Sequence, residues 1–366
     1  MIDLPWKPDP DYNRLLNALR RQGDPDRIVW LELFADPEIM AAILEEPSLP
    51  TKDKIKDRDT LNRWIDQRIK FWYQLGYDAF WHGPTLTLPG LHSLEAGDSA
   101  ALSRGIRSWV NEKSGMITSW ETFERYPWPS FADADFYPLE YAARHLPEGM
   151  AIIAQISGIL EPAMWLMGYE TFAMAIYNQP DLIEAIFSRL SEIYLPLARA
   201  LVETNHIIAL WMGDDMGYKT STMISPNHLR KYVFPIQKQI AQIAHAKGFP
   251  FLLHSCGKLD LIMEDLIKEV GIDAKHSFED IIEPVERFCD RFGKRIAIIG
   301  GVDMDILARG TEDQVRARTR QILEACASSQ SYILGSGNSV ANYILPRNFL
   351  AMLDEGYRYN AARRII

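Results

Sequence analysis

Only three cysteines occur in 366 residues, too few for a disulfide framework, and that scarcity fits a reducing cytoplasm. No run of about 18 uncharged apolar residues is present, so no segment reads as a membrane span. Met1 to Arg21 has no apolar stretch flanked by basic residues, and no secretory signal is expected. Clustered Lys and Arg are missing too. The formal charge is −10, which argues against nucleic acid and other polyanions as partners. No internal repeat, low-complexity tract or linker interrupts the chain. A single domain over residues 1–366 is therefore expected.

What the sequence does have is a recurrence of short apolar runs separated by helical patterns. The runs are Ile28-Phe34, Asp78-Trp81, Ala151-Ser157, Ile207-Met212, Phe249-His254, Ile272-His276, Ile296-Gly300 and Ser331-Leu334. Several are almost wholly apolar, as parallel strands buried on both faces must be. Eight such runs alternating with helices predict an α/β fold, a (β/α)₈ TIM barrel. The helices carry their own punctuation. Ser225-Pro226 reads as an N-cap with Pro at the first helical position, and Gly248 as the stop. Thr311 and Gln314 have capping-box spacing. One connection is anomalous: residues 83–136 form a long, weakly periodic insertion with Trp120, Phe123, Tyr126 and Trp128. A lid over the barrel mouth is one reading; an outer insertion or a homodimer contact is the other.

Active groups of such barrels sit at the C-terminal strand ends. Those ends supply Glu32, Trp81 with His82, Gln155 with Ser157, Asp214-Asp215, His254 with Cys256, His276 with Glu279, Asp303 with Asp305, and Ser336 with Asn338. His254-Ser255-Cys256-Gly257 is the most distinctive. A spacing of two on an extended segment turns both side chains to one face, and imidazole with thiolate suits Zn²⁺. Two ligands do not complete a site. Glu279 is the preferred third, because a carboxylate binds zinc and offsets its charge; Asn338 and Asp214 are alternatives. A partly buried His beside a small apolar Cys is the bland reading. Cys289 and Cys326 fall on apolar helix stripes and read as core. Of Asp214 and Asp215, at most one should face a substrate, since adjacent residues seldom point the same way.

The runs Leu253-His254-Ser255-Cys256-Gly257, Lys275-His276-Ser277-Phe278-Glu279-Asp280, Gly300-Gly301-Val302-Asp303 and Gly335-Ser336-Gly337-Asn338-Ser339 resemble the uroporphyrinogen decarboxylase superfamily. The resemblance covers nearly the whole chain and implies the same barrel. One branch of that superfamily decarboxylates uroporphyrinogen without metal. The other comprises cobalamin-dependent methyltransferases, with zinc on a His-x-Cys pair and a later Cys. The decarboxylases carry an Arg-Gln-Ala-Gly-Arg run whose arginines bind substrate carboxylates. Here the nearest string is Arg20-Arg21-Gln22-Gly23-Asp24, and strand one bears Glu32 instead of a base. Where thiol methyltransferases place the late Cys, this chain has Gly337-Asn338, so either the third ligand differs or the metal is absent.

The resemblance thus implies a cytoplasmic, zinc-dependent methyltransferase. It would act between a small molecule, with methoxylated aromatics (O-demethylation) in view, and a corrinoid protein. No Asp-x-His-x-x-Gly run is present, so cobalamin is expected on that separate partner. The expected site is Asp214 and His276 for proton transfer, His254, Cys256 and Glu279 for metal, and Glu32, Trp81, Gln155, Asp215 and Asn338 for substrate. Trp120, Tyr126 and Trp81 would flank an aromatic ring on one reading and belong to the core on the other. The other readings are uroporphyrinogen decarboxylase and a non-catalytic barrel that binds a corrinoid protein.

Overall fold

The computed structural model describes residues 6–24 and 27–363. All eight predicted strands form: β1 (Val29–Trp30), β2 (Ala79–His82), β5 (Ala151–Ser157), β6 (Ile207–Gly213), β7 (Phe251–His254), β8 (Ala274–His276), β9 (Ala297–Ile299) and β10 (Tyr332–Leu334). They pair in parallel in the order β1-β10-β9-β8-β7-β6-β5-β2. Helices fill the crossovers, which gives a (β/α)₈ TIM barrel. The two end strands, β1 and β2, share no ladder among the described residues. Side chains meet across that seam instead: the rings of Phe34 and Trp81 stack with centroids 5.9 Å apart.

Alternation along the strands decides which side chains look inward. Val29, Leu31, Ala79, Ala151, Ile153, Ala209, Trp211, Leu252, Ala274, Ala297, Ile299 and Ile333 form an inner cluster separate from the larger one under the helices. The amphipathic helix Tyr12–Leu19, capped by Asp11, sends Leu15, Ala18 and Leu19 into that inner cluster. Carrying the inward set two residues further places Trp81, Gln155, His254 and His276 above it; Asp215 and Cys256 follow on the same parity. Asp214 and Glu32 fall on the outward parity. A site is thereby laid out before any contact is measured.

The predicted caps form. Ser225 accepts from the His228 N–H, with Pro226 at the first helical position, and Thr311 with Gln314 makes a reciprocal capping box. The helix stop at Gly248 lies in the left-handed region. Just before Pro235 the chain takes one π-helical turn, Leu229–Val233, and then continues as the helix Phe234–Ala246. Proline cannot supply the amide that a regular turn needs there, and the wider turn absorbs the loss.

The insertion is more structured than its pattern predicts. It holds an antiparallel hairpin, β3 (Ser93–Gly97) with β4 (Ile106–Val110), and the helix Trp120–Arg125. Nearly every hairpin residue is exposed, so the usual apolar alternation was absent from the sequence. Its turn is anchored to the segments that follow β1 and β10: Arg104 pairs with Asp36 and with Glu38 in the first turn of the helix Pro37–Leu44, and Leu102 N–H donates to the Asn342 carbonyl. Further on, the Ile117 N–H donates to Leu166 in the helix after β5. No helix among the described residues is long and apolar enough to cross a membrane.

Candidate metal centre

The ends of β6 and β7 are in parallel register, with Gly213 opposite His254. Two residues on, the same register brings Asp215 to Cys256, and the Cys256 N–H donates to Asp215 Oδ1 at 2.8 Å. On the other side, β8 sets His276 opposite His254. Asp215, His254 and Cys256 are the one group of three such donors gathered among the described residues, their ligand atoms all within 4.8 Å. Asp215 Oδ1 is 3.6 Å from His254 Nε2, which is 3.4 Å from Cys256 Sγ. Tetrahedral zinc with Zn–N and Zn–O near 2.0–2.2 Å and Zn–S near 2.3 Å requires donor-to-donor edges of about 3.3–3.6 Å. The residues fit that ion, and three protein donors leave a fourth position open.

Hydrogen bonds around the trio fix which atoms are free. His276 Nε2 meets the Ser336 carbonyl at 3.3 Å, and a carbonyl only accepts, so Nε2 carries the proton. His276 Nδ1 is then an acceptor, and it lies 2.7 Å from His254 Nδ1, which must donate. That leaves the lone pair of His254 on Nε2, facing Asp215 and Cys256. Burial lowers the pKa of both imidazoles, so both stay neutral, as this chain of bonds requires. The Cys256 thiol is pushed up to about 12, by burial first and then by the Asp215 carboxylate. Ser277 Oγ and Asn338 Nδ2 reach its sulfur at 3.3 and 3.4 Å. Ser277 adopts φ +86°, a left-handed conformation unusual for serine.

Glycine makes the loop behind Cys256 possible. Gly257 has φ +82°, and a Cβ there would stand 2.2 Å from the carbonyl carbon of Gly217. The two backbones touch where the β6 and β7 loops cross.

The expected residues sort unevenly. His254, Cys256, His276, Asp215 and Asn338 come together. Asp214 does not join them. It is fully buried on the outward parity, where its carboxylate accepts N–H bonds from Ile159, Leu160 and Glu161 and from the Gln237 side chain. It anchors the start of the helix Leu160–Met167, and burial raises its pKa to about 6. Glu279 is outside the donor group: the turn at Ser277 carries it into a neighbouring cleft of about 1020 Å³, which it lines with Asp303, Asp305 and Asn338. Glu32 lies behind the wall, 2 % exposed and bound to Ser336. Trp81 and Gln155 are part-exposed on the inner side. Tyr126 is buried within the insertion, its hydroxyl on the Pro89 carbonyl and its ring against Trp128, while Trp120 is exposed. Cys289 and Cys326 are buried core thiols.

Two groups escaped sequence reasoning. Glu161 accepts the Asp215 N–H at 3.1 Å, and burial followed by repulsion from Asp215 and Asp214 raises its pKa. Lys275, 3 % exposed, donates to the His276 and Ser277 carbonyls and lies over the Phe278 ring. The outward parity of Lys275 beside His276 was its only signal.

The family model "Uroporphyrinogen decarboxylase (URO-D)" matches residues 129–359. The chain belongs to the uroporphyrinogen decarboxylase family. A curated uroporphyrinogen decarboxylase from Streptomyces avermitilis is 24% identical over 169 residues, which are 45% of this chain and 44% of that relative. The chain thus matches less than half the length of that relative. Among solved structures, a methyltransferase from Methanosarcina mazei superposes with a TM-score of 0.67 at 16% identity, covering 94% of this chain and 98% of its own. That likeness establishes the shared barrel.

Proposed function

We propose that this family member is a zinc-dependent methyltransferase, moving a methyl group between a small molecule and a corrinoid carried by a separate protein. The observation that carries the reading is the trio Asp215, His254 and Cys256 at the C-terminal strand ends, spaced as zinc ligands are. Asp215 takes the place expected of Glu279. When bound, zinc would supply Lewis acidity to the substrate heteroatom, making it a better leaving or attacking group. The chain's own residues would do the rest. His276 holds the His254 tautomer, and Ser277 and Asn338 donate to the sulfur. Trp81 offers an aromatic face and Gln155 an amide on the inner side, suited to a methoxylated ring. Glu161, beside Asp215, keeps a proton available. The open cleft next to Asn338 gives a partner or substrate a way in.

The decarboxylase reading draws no support from charge. Arg20 of the basic string donates to the Gly248 carbonyl, which precedes β7, so it sits at the opposite end of the barrel from His254. The neighbouring cleft, which reaches the site at Asn338, is lined by Glu279, Asp280, Asp303 and Asp305 with a single arginine, Arg309. A porphyrinogen polycarboxylate needs the reverse.

The test is metal content together with turnover. Zinc near one equivalent, lost in His254→Ala, and methylation of a reduced corrinoid protein by a methoxylated aromatic, methylamine or methylthiol are expected. Metal-free protein that decarboxylates uroporphyrinogen overturns the reading. Protein that binds the corrinoid partner but turns over no donor in the screen leaves the non-catalytic barrel instead.

A further inference from the structure

We propose that Glu32 is held as the neutral acid and is a positioning residue: its O–H donates to the Ser336 hydroxyl, which donates to the Asn338 carbonyl and so sets the Asn338 amide on Cys256 Sγ. The hydrogens available to Ser336 decide the state. Ser336 Oγ is in hydrogen-bond contact with two oxygens, Glu32 Oε2 and the backbone carbonyl of Asn338. A hydroxyl has one hydrogen, and a carbonyl can only accept. If Glu32 were ionised, two acceptors would share one proton and one contact would be repulsive. If Glu32 is protonated, each contact has its donor. Its other oxygen, Oε1, accepts the Ser336 N–H at 2.9 Å, and that N–H also lies 3.1 Å from Oε2, which can accept while it donates its own hydrogen.

The surroundings favour the same state. Glu32 lies behind the strands, 2 % exposed, and no ion pair to it is formed among the described residues. From the β10 side it faces Gly335 and the Ser336 N–H and hydroxyl; from the β2 side the titratable group turned to it is the Tyr77 phenol. The imidazole of His276 meets Ser336 through its carbonyl. Burial outweighs the hydrogen bonds and raises the carboxyl pKa to about 8. Downstream the chain of bonds continues. Asn338 Oδ1 accepts the Ser339 N–H at 2.8 Å, which leaves Nδ2 to reach Cys256 Sγ at 3.4 Å. Ser336 therefore holds both flanks of the metal centre: its hydroxyl fixes Asn338, and its carbonyl fixes His276.

The protonation state stands apart from methyl transfer; its effect on Cys256 rests on the metal reading, and the two are tested separately. Infrared difference spectra of metal-free wild type against Glu32→Gln should contain a protonated-carboxyl band at pH 7 that fades as pH passes about 8. A carboxylate-only difference at pH 7 overturns the proposal. For the effect on sulfur, Co²⁺ is the probe. Gln places an amide N–H where the acid O–H was, so Glu32→Gln should keep the sulfur-to-cobalt band and the affinity within about twofold from pH 6 to 9, without the alkaline change that wild type undergoes. Glu32→Ala should weaken Co²⁺ binding about tenfold, the lower end for a supporting partner. Glu32→Gln as impaired as Glu32→Ala overturns the positioning role. Wild type that binds no Co²⁺ overturns the metal reading while the infrared result still decides the proton.

Discussion

The Nδ1 atoms of His254 and His276 lie 2.7 Å apart, and only one of them can carry the proton between them. Because His276 Nε2 already donates to Ser336, the shared proton belongs to His254, whose Nε2 is freed for metal. His276→Ala should therefore fold normally but bind zinc roughly 10–100-fold more weakly, the usual loss when a supporting partner of a metal-bound histidine is removed. Chelator competition measures it, and unchanged affinity would refute the proton assignment.

Asp215 and Glu279 compete for the third donor position, and the register favours Asp215. Asp215→Asn should lower zinc affinity by more than about 100-fold, beyond what loss of a supporting contact costs. Glu279→Gln should retain one equivalent of zinc. Metal analysis after gel filtration of both variants tests this; the opposite ranking would restore Glu279.

The eight strands were legible because apolar runs buried on both faces leave a strong local signal. The pair His254 and Cys256 was legible because a spacing of two keeps one face. The third donor was not, because it depends on which residue of β6 lies opposite which residue of β7, a relation between distant segments. Alternation inside β6 would have separated Asp215 from Asp214, given a strand long enough to run past Gly213. The hairpin β3–β4 was invisible for another reason: with both faces exposed, it carries no buried stripe to detect.

The crossing of Gly217 and Gly257 should tolerate no side chain. Gly257→Ala combines a disfavoured φ of +82° with a Cβ at 2.2 Å from backbone, so something must move. A cost of about 1–3 kcal/mol is expected from the backbone conformation alone. Denaturant unfolding should register it, and the folded fraction should hold less zinc. Unaltered stability and metal content would mean that the loops do not pack as described.

His245 and Asp273 give a pH signature remote from the site. His245 Nε2 is 2.7 Å from Asp273 Oδ2, and that hydrogen bond raises the imidazole pKa against the opposing effect of burial. A raised folded-state pKa means that the stabilisation is complete below the unfolded value near 6.5 and vanishes as pH rises through the folded one. The pair is part-exposed, so only a few tenths of a kcal/mol, at most about 1 kcal/mol, is expected. His245→Gln should lose stability relative to wild type below the unfolded value near 6.5 and converge with it as pH rises past the raised folded-state pKa. A gap that widens with pH would show the assigned sign to be wrong.

Seven junctions between neighbouring strands are laced by backbone hydrogen bonds, while Phe34 and Trp81 meet across the remaining one by ring contact. An assembly order follows. Strands β5 through β10 can knit as one continuous ribbon, and the cylinder shuts only when the two free margins meet, which makes closure at those rings the final step. Pulse-labelled hydrogen exchange should then find amides of β5 and β6 protected before the Leu31 amide beside β1, and new chain ends placed between β1 and β2 should leave the ribbon able to form.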